Sequence, residues 1–185
     1  MKTKYIDEVM TYTGEQLRSN FAYTEFDIIG DSIIAFCGPC DIPIEKMVDL
    51  EDVKGNARIY SESMLHFIVE HHNSDLEKAV LRQLVLATII CEVINESQPN
   101  ACIKRRGSDL YDNEAKLSIS VATQTPLSSV IHFGVNITSD NTPVKTKGLK
   151  EYGIDPYDFA ISVMVKYKEM ESDMHLACCK VRWRA

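Results

Sequence analysis

Residues 105–136 read RRGSDLYDNEAKLSISVATQTPLSSVIHFGVN, and this stretch decides the architecture. Lys116 to Ala122 and Ser129 to Ile137 are rich in branched and apolar residues, the composition of strands. Asp112-Asn113 is a good turn pair between two strand-like runs, because short Asx side chains bond their own backbone and tolerate tight conformations. If Lys116 begins the returning strand, Asp109 and Lys116 lie near each other across a hairpin.

Working outward, Ala101 to Arg105 reads as a strand before the hairpin. Ile59 to Val69 reads as another, dominated by aromatic and branched core residues. Between them, Asp75 to Asn95 predicts the clearest helix. Ser74 and Glu77 have capping-box spacing. Leu76, Val80, Leu84, Ala87, Cys91 and Ile94 recur every three or four residues as its buried stripe. Asp155-Pro156 opens a second helix, with Asp155 as cap and Pro156 at the first helical position, burying Phe159, Val163 and Tyr167. Thr13 to Asn20 predicts a short helix. Phe26 to Ile29 and Ser32 to Phe36 predict a hairpin about Gly30-Asp31. The tail from His175 to Trp183 alternates like a last strand. Strands cluster between helices without a βαβ rhythm, so the expected class is α+β, with a mainly antiparallel mixed sheet flanked by helices.

The 185 residues suit one domain spanning 1–185, with 45% apolar and 25% charged residues. A formal charge of −7 argues against a nucleic-acid surface, since Lys104-Arg105-Arg106 and the looser Lys145, Lys147 and Lys150 make no phosphate-binding stripe. The longest apolar stretch, Leu84 to Ile94, is interrupted by Thr88 and Glu92 and is too short for a bilayer. The N-terminus lacks the apolar core of a signal peptide, and six cysteines then fit a reducing, cytoplasmic setting.

FCGPC, Phe36 to Cys40, invites comparison with thioredoxin. A redox pair needs its first thiol at a helix N-terminus, where the dipole lowers the thiol pKa. Asp41 works against that, and no proline lies between Pro43 and Pro99 to supply the cis-proline that thioredoxins place against the motif. The expected place falls inside the Ser74-capped helix. Cys37 and Cys40 also have zinc-ligand spacing, but Cys178-Cys179 and His71-His72 are adjacent pairs rather than a second spaced one. The plainer expectation is a tight Gly-Pro turn leaving a strand, followed by a short helix from Pro43 with Ile44, Met47 and Val48 inward.

The segment from Arg105 resembles the core of biotin–protein ligases and the related lipoate ligases. Asp109-Leu110-Tyr111 stands for their aspartate-leucine-tyrosine run, Lys116-Leu117 for their lysine-leucine, and Gly134-Val135-Asn136 for their glycine-isoleucine-asparagine. The whole sequence is similar to a small prokaryotic family, the domain of unknown function 366, associated with the same class II aminoacyl-tRNA synthetase-like fold. The resemblance implies that Lys116 is the catalytic anchor for a developing negative charge and that Asp109 holds a ligand head group. Asn136, Gly134, Ser108 and Arg106 support the pocket. It further implies ATP and a biotin- or lipoate-like carboxylate as cofactors, with an acceptor protein as partner. Independently of the resemblance, an edge strand of the sheet is available to pair across a homodimer. The family's glycine- and arginine-rich covering loop falls by position around Gly38 to Lys46, placing Gly38 near the ligand and Cys37 and Cys40 as candidate thiols. Here the chain reads GPCDIPIEK. Ile119 stands where the family has a glycine, and Ser108 replaces its asparagine. Three functions follow: carboxylate activation or acyl transfer, a non-catalytic binding module of the same fold, and a thiol-redox or metal-thiolate protein.

Overall fold

The computed structural model describes residues 1–56, 59–142 and 144–184. Strand β1 (Lys2–Ile6) is followed by helix α1 (Phe21–Phe26), β2 (Ser32–Ile42), a 3-10 turn (Ile44–Lys46) and α2 (Leu50–Gly55). Then come β3 (Ile59–His71), α3 (Leu76–Ser97), β4 (Ile103–Arg106), β5 (Asp109–Asp112) and β6 (Ala115–Lys116). β7 (Ser118–Gln124), β8 (Ser129–Asn136), a second 3-10 turn (Leu149–Tyr152) and α4 (Pro156–Cys179) complete the order. A five-stranded sheet runs β1-β2-β3-β8-β7, and a three-stranded one runs β4-β5-β6. Among the strand pairs of the described residues β1–β2 alone is parallel, so the α+β, mainly antiparallel mixed sheet expected from the sequence is present.

The large sheet is buried on both faces, which explains why β2 opens with the unbroken apolar run Ile33 to Phe36. Successive side chains point to opposite sides. Ile33 and Ala35 join Leu65, Phe67 and Phe133 under α3 and α4, whereas Ile34 and Phe36 join Tyr12, Phe21, Met64 and Ile68 on the other side. Each fully buried Leu, Ile or Phe contributes roughly 1.5–3 kcal/mol, so the two clusters fix strand register as well as stability. Helices α3 and α4 cover one face, and a cavity opens on the other.

Several expectations change. Thr13 to Asn20 is not helical, because Gly14 (φ 88°) and Asn20 (φ 60°) break it with left-handed backbone. The helix starts one residue later, where Phe21 and Ala22 find the sheet. No hairpin forms about Gly30-Asp31, since β2 pairs instead with β1 in parallel and residues 7–31 supply the necessary crossover. The cap of α3 is Asp75, whose carboxylate accepts from the Lys78 amide, while the Ser74 hydroxyl donates to the Thr125 carbonyl. The α3 stripe is rotated: Leu76 and Val80 face solvent, and Ala79, Leu86, Ile90 and Val93 face the sheet. Arg82 and Gln83 share that inner face, bonding Glu171 and Ser120.

The strand expected from Lys116 to Ala122 breaks at Leu117, where the chain passes from the small sheet to the large one. The Leu117 amide donates to Leu110, and the Leu117 carbonyl accepts from Asn136. Of the expected C-terminal strand, His175 to Cys179 form the end of α4 and Lys180 to Trp183 follow it without forming a strand. Asp155 caps α4 as anticipated, accepting from the Tyr157 and Asp158 amides, and Phe159, Val163 and Tyr167 are buried.

FCGPC is not a turn. It lies within β2, and the pairing with β3 slips between Gly38 and Cys40 at a bulge. Pro39 is accommodated there because its position needs no ladder donor. Residues 10–12 cross over this bulge: Met10 N donates to Cys37 O, Tyr12 N to Pro39 O, and Asp41 N to Tyr12 O. Gly38 is required by that crossing, since a Cβ would stand 2.6 Å from the Met10 carbonyl carbon. The short turn after Pro43 forms, but Ile44 and Val48 are exposed rather than inward.

Candidate functional site

On the sheet face away from α3 and α4 lies a cavity of about 480 Å³. Its floor comes from Met64, Ile119 and His132 on the sheet. One wall is Ser108, Asp109 and Lys116 from the small sheet, and the facing wall is the segment from Ile42 through Asp52. Tyr12 and Leu17 close the end nearest the N-terminal crossing.

The Lys116 ammonium lies 2.7 Å from Asp109 Oδ2. Two tight turns create this approach. Gly107 (φ 63°) joins β4 to β5, and Asn113 (φ 53°) occupies the two-residue connection between Asp112 and Ala115. The backbone of Lys116 is held from both sides, its amide donating to Lys145 O and its carbonyl accepting from Lys147 N. Asn136 Nδ2 reaches the Lys116 and Lys147 carbonyls at 3.5 and 3.4 Å, so Asn136 braces the lysine strand from the cavity floor. Asp112 anchors the hairpin's far end, accepting from Lys147 Nζ at 2.6 Å and Tyr152 OH at 2.7 Å, which hold its carboxyl below the usual range.

Asp109 keeps one oxygen, Oδ1, buried without a partner. Burial raises its carboxyl pKa, Lys116 lowers it, and Asp52 and Asp49 raise it further. Asp52 is likewise raised, by desolvation and by Asp49, with Lys116 opposing. The covering segment thus sets Asp49, Glu51 and Asp52 across the cavity from the Lys116–Asp109 pair. Asp49 is fixed in this role as the N-cap of α2, accepting from the Glu51 amide.

A second polar line runs under the cavity. His132 Nε2 and His66 Nδ1 are 3.0 Å apart, and His66 Nε2 is 3.2 Å from the Gly38 carbonyl. Both rings are buried, which lowers the pKa of His66 to about 4 and that of His132 well below its ordinary value. The Tyr12 ring stacks on His132 with centroids 3.6 Å apart.

The structure gathers Asp109, Lys116, Ser108 and Asn136 on one cavity. Gly134 lies beneath it, where the missing side chain admits Met64 and Ile119 to the floor. Three expectations are corrected. Arg106 points away, paired with Glu114 at 3.1 Å and stacked over Tyr111 on the exposed side of the small sheet. Gly38 contacts no cavity, because the Met10 backbone covers it. Cys37 and Cys40 lie outside the lining on opposite faces of β2, Cys37 at 3.3 Å from Tyr5 OH and Cys40 fully buried. Burial pushes both thiols up, Cys40 to about 12, contrary to what a redox or acyl-carrying thiol needs. Asp49, Glu51, Asp52 and Tyr12 escaped the sequence reading. The acidic run Asp49-Leu50-Glu51-Asp52 was visible, but only the β2–β3 pairing brings it over the lysine.

A mixed sheet, helices on one face and a lysine–aspartate hairpin beside a cavity on the other define the biotin/lipoate ligase-like, class II synthetase-like fold. Biotin protein ligase from Aquifex aeolicus superposes with a TM-score of 0.59 at 17% identity, covering 91% of this chain and 68% of that one. The same enzyme in complex with biotin and ATP gives 0.61 at 14% identity, covering 90% and 69%. At such identities the likeness is one of fold. The chain belongs to the family described as domain of unknown function (DUF366), whose profile matches residues 1–182. A protein of unknown function from Pyrococcus horikoshi is 34% identical with a TM-score of 0.93, covering 100% of this chain and 99% of that one. Uncharacterized protein MJ0805 from Methanocaldococcus jannaschii is 35% identical over 94% of this chain and 83% of the relative. Among the described residues, no helix is long and apolar enough to cross a membrane.

Proposed function

We propose that this protein binds a small organic molecule in the cavity beside Asp109 and Lys116, as a binding module of the ligase-like fold. The observation that carries this reading is Asp109 Oδ1, a buried acceptor without a partner on the wall of a cavity of about 480 Å³. Small-ligand sites run from roughly 300 to 1,000 Å³ and are mostly apolar with a few fixed polar groups. A buried acceptor left unbonded costs about 1–3 kcal/mol, which a ligand donor recovers.

Carboxylate activation or acyl transfer with Lys116 as anchor is the second reading, favoured by the rigid bracing of the lysine backbone. Against it, activation builds negative charge where the acid and the ATP phosphate meet. Here Asp109 already neutralises Lys116, and Asp49, Glu51 and Asp52 line the opposite wall. A cysteine-dependent variant gains no support, because neither Cys37 nor Cys40 lines the cavity.

The test is a thermal-shift screen of wild type and Lys116→Ala against small amines, alcohols, carboxylic acids including biotin and lipoate, and ATP. A ligand at a hundred times its Kd adds about 2.7 kcal/mol of stability. The binding-module reading expects at least one ligand whose affinity changes about tenfold in the variant, with no pyrophosphate released from ATP. Pyrophosphate release dependent on an added acid would establish the second reading instead. Identical ligand responses in wild type and variant would remove Lys116 from the site.

A further inference from the structure

Resting on the binding-module reading, we infer that the ligand's head group is cationic: the cavity takes a small organic amine, bound as its ammonium with an apolar body. Two groups on the cavity, Asp109 Oδ1 and His132 Nδ1, can only accept a hydrogen bond, and the charged lining is mostly negative.

The tautomers supply the first argument. The Gly38 carbonyl can only accept, so the His66 nitrogen facing it, Nε2, carries the hydrogen. Neutral His66 therefore offers a bare Nδ1 to its neighbour, and His132 Nε2 must be the donor in that contact. His132 is left with a bare Nδ1, on a ring that forms part of the cavity wall, and no described residue donates to it. His132 is only 2% exposed, so its ring belongs to the packed floor of the cavity.

Ser61 gives a second, independent sign. It is 3% exposed, lines the same cavity, and its hydroxyl has no partner. It pairs with Cys40 across β2 and β3 and so projects from the cavity face. Its hydroxyl can donate or accept, and it joins the pure acceptors Asp109 Oδ1 and His132 Nδ1 on three different strands.

Charge points the same way. Asp49, Glu51, Asp52 and Asp109 line the cavity against Lys46 and Lys116. Lys46 is engaged by Glu15 at 3.2 Å and Lys116 by Asp109. An ammonium entering near Asp52 relieves the crowding of carboxylates, whereas a carboxylate or phosphate would add to it. The rest of the lining, including Ile42, Val48, Ile59 and Val121, suits an alkyl body.

The experiment compares n-hexylamine, n-hexanol and n-hexanoate, matched in length, by calorimetric titration at pH 7 and low salt. Wild type, Asp52→Asn and Lys116→Ala are used, each first shown to unfold cooperatively. Hexylamine is expected to bind, about tenfold more weakly to Asp52→Asn, as for a lost hydrogen bond to a charged group. It should bind more tightly to Lys116→Ala, where the competing cation is gone, while hexanoate shows no heat. Hexanoate binding that is lost in Lys116→Ala overturns the charge assignment but leaves the cavity as a ligand site. Hexanol binding as tightly as hexylamine overturns it too, by showing that only the chain is recognised. No binding of hexylamine to any form, or an Asp52-dependent response to magnesium chloride alone, also overturns it.

Discussion

Replacing Gly38 with alanine tests how tightly the N-terminal crossing is clamped over β2. The strand here is not in the left-handed region, so the demand for glycine is one of space. A Cβ would stand 2.6 Å from the Met10 carbonyl carbon and closer still to its oxygen, and both neighbours are backbone. Backbone cannot rotate away as a side chain can, so either β2 or residues 10–12 must move. Moving the latter breaks three backbone bonds: Met10 to Cys37, Tyr12 to Pro39 and Asp41 to Tyr12. At about 1 kcal/mol net each this loses roughly 3 kcal/mol. Partly lifting Tyr12, which is 1% exposed and stacked on His132, adds about 1–2 kcal/mol. The sum, about 4–5 kcal/mol, is a large share of the 5–15 kcal/mol typical of a domain. In urea, with a slope near 2 kcal/mol per molar, the midpoint should fall by about 2 M. Gly153→Ala is the control. Its φ of 65° disfavours a side chain but no atom lies within reach, so about 1 kcal/mol is expected. A Gly38→Ala midpoint within 0.5 M of wild type would refute the clamp.

Acidification should destabilise the protein well before its carboxylates titrate. His66 and His71 have folded pKa values of about 4, below the ordinary 6.5, so between pH 6.5 and 4 the unfolded chain binds protons that the folded one refuses. Each histidine then removes on the order of 2 kcal/mol between pH 7 and pH 5, with His132 acting in the same direction. Asp109 and Asp52, whose carboxyls are raised, gain protons earlier in the folded state and offset part of the loss. Asp31 and Asp112, which are lowered, lose their contribution only below about pH 4. Urea titrations at pH 7 and 5 check this, and equal stabilities would contradict the buried neutral rings. Thiol titration with Ellman's reagent should find Cys102, Cys178 and Cys179 promptly reactive and Cys40 reactive only on unfolding. Prompt reaction of Cys40 in the native state would contradict its burial.

Local chemistry was legible wherever a few neighbouring residues decide the outcome. Asp155-Pro156 starts α4 where expected, and the Asp109–Lys116 approach follows from turn residues and strand spacing. The misses share a cause in distant contacts. Lys2–Ile6 is a mostly exposed edge strand whose partner lies some thirty residues on in parallel, so its own pattern says little. The α3 stripe was misplaced because Leu76, Val80, Leu81 and Val85 remain on the outer side, leaving apolar residues all round the helix. Gly38-Pro39 carries every local sign of a turn, yet the Met10–Tyr12 crossing and the pairing with β3 hold it extended. The acidic character of the cavity was likewise hidden, since Asp49 and Asp52 meet Asp109 only through the tertiary fold.

The segment that covers the cavity leaves the sheet at Ile42 and returns at Ile59, and these two residues are direct partners across β2 and β3. Its ends are therefore fixed side by side by pairing that does not depend on what lies between. Doubling the length of such an excursion adds only about 0.6 kcal/mol of closure entropy. Its sequence can diverge, lengthen or be exchanged while the lysine hairpin and the histidine floor stay in place. On the binding reading proposed above, ligand choice and scaffold would be separately heritable, and a graft between these two isoleucines would be the natural route to a new specificity.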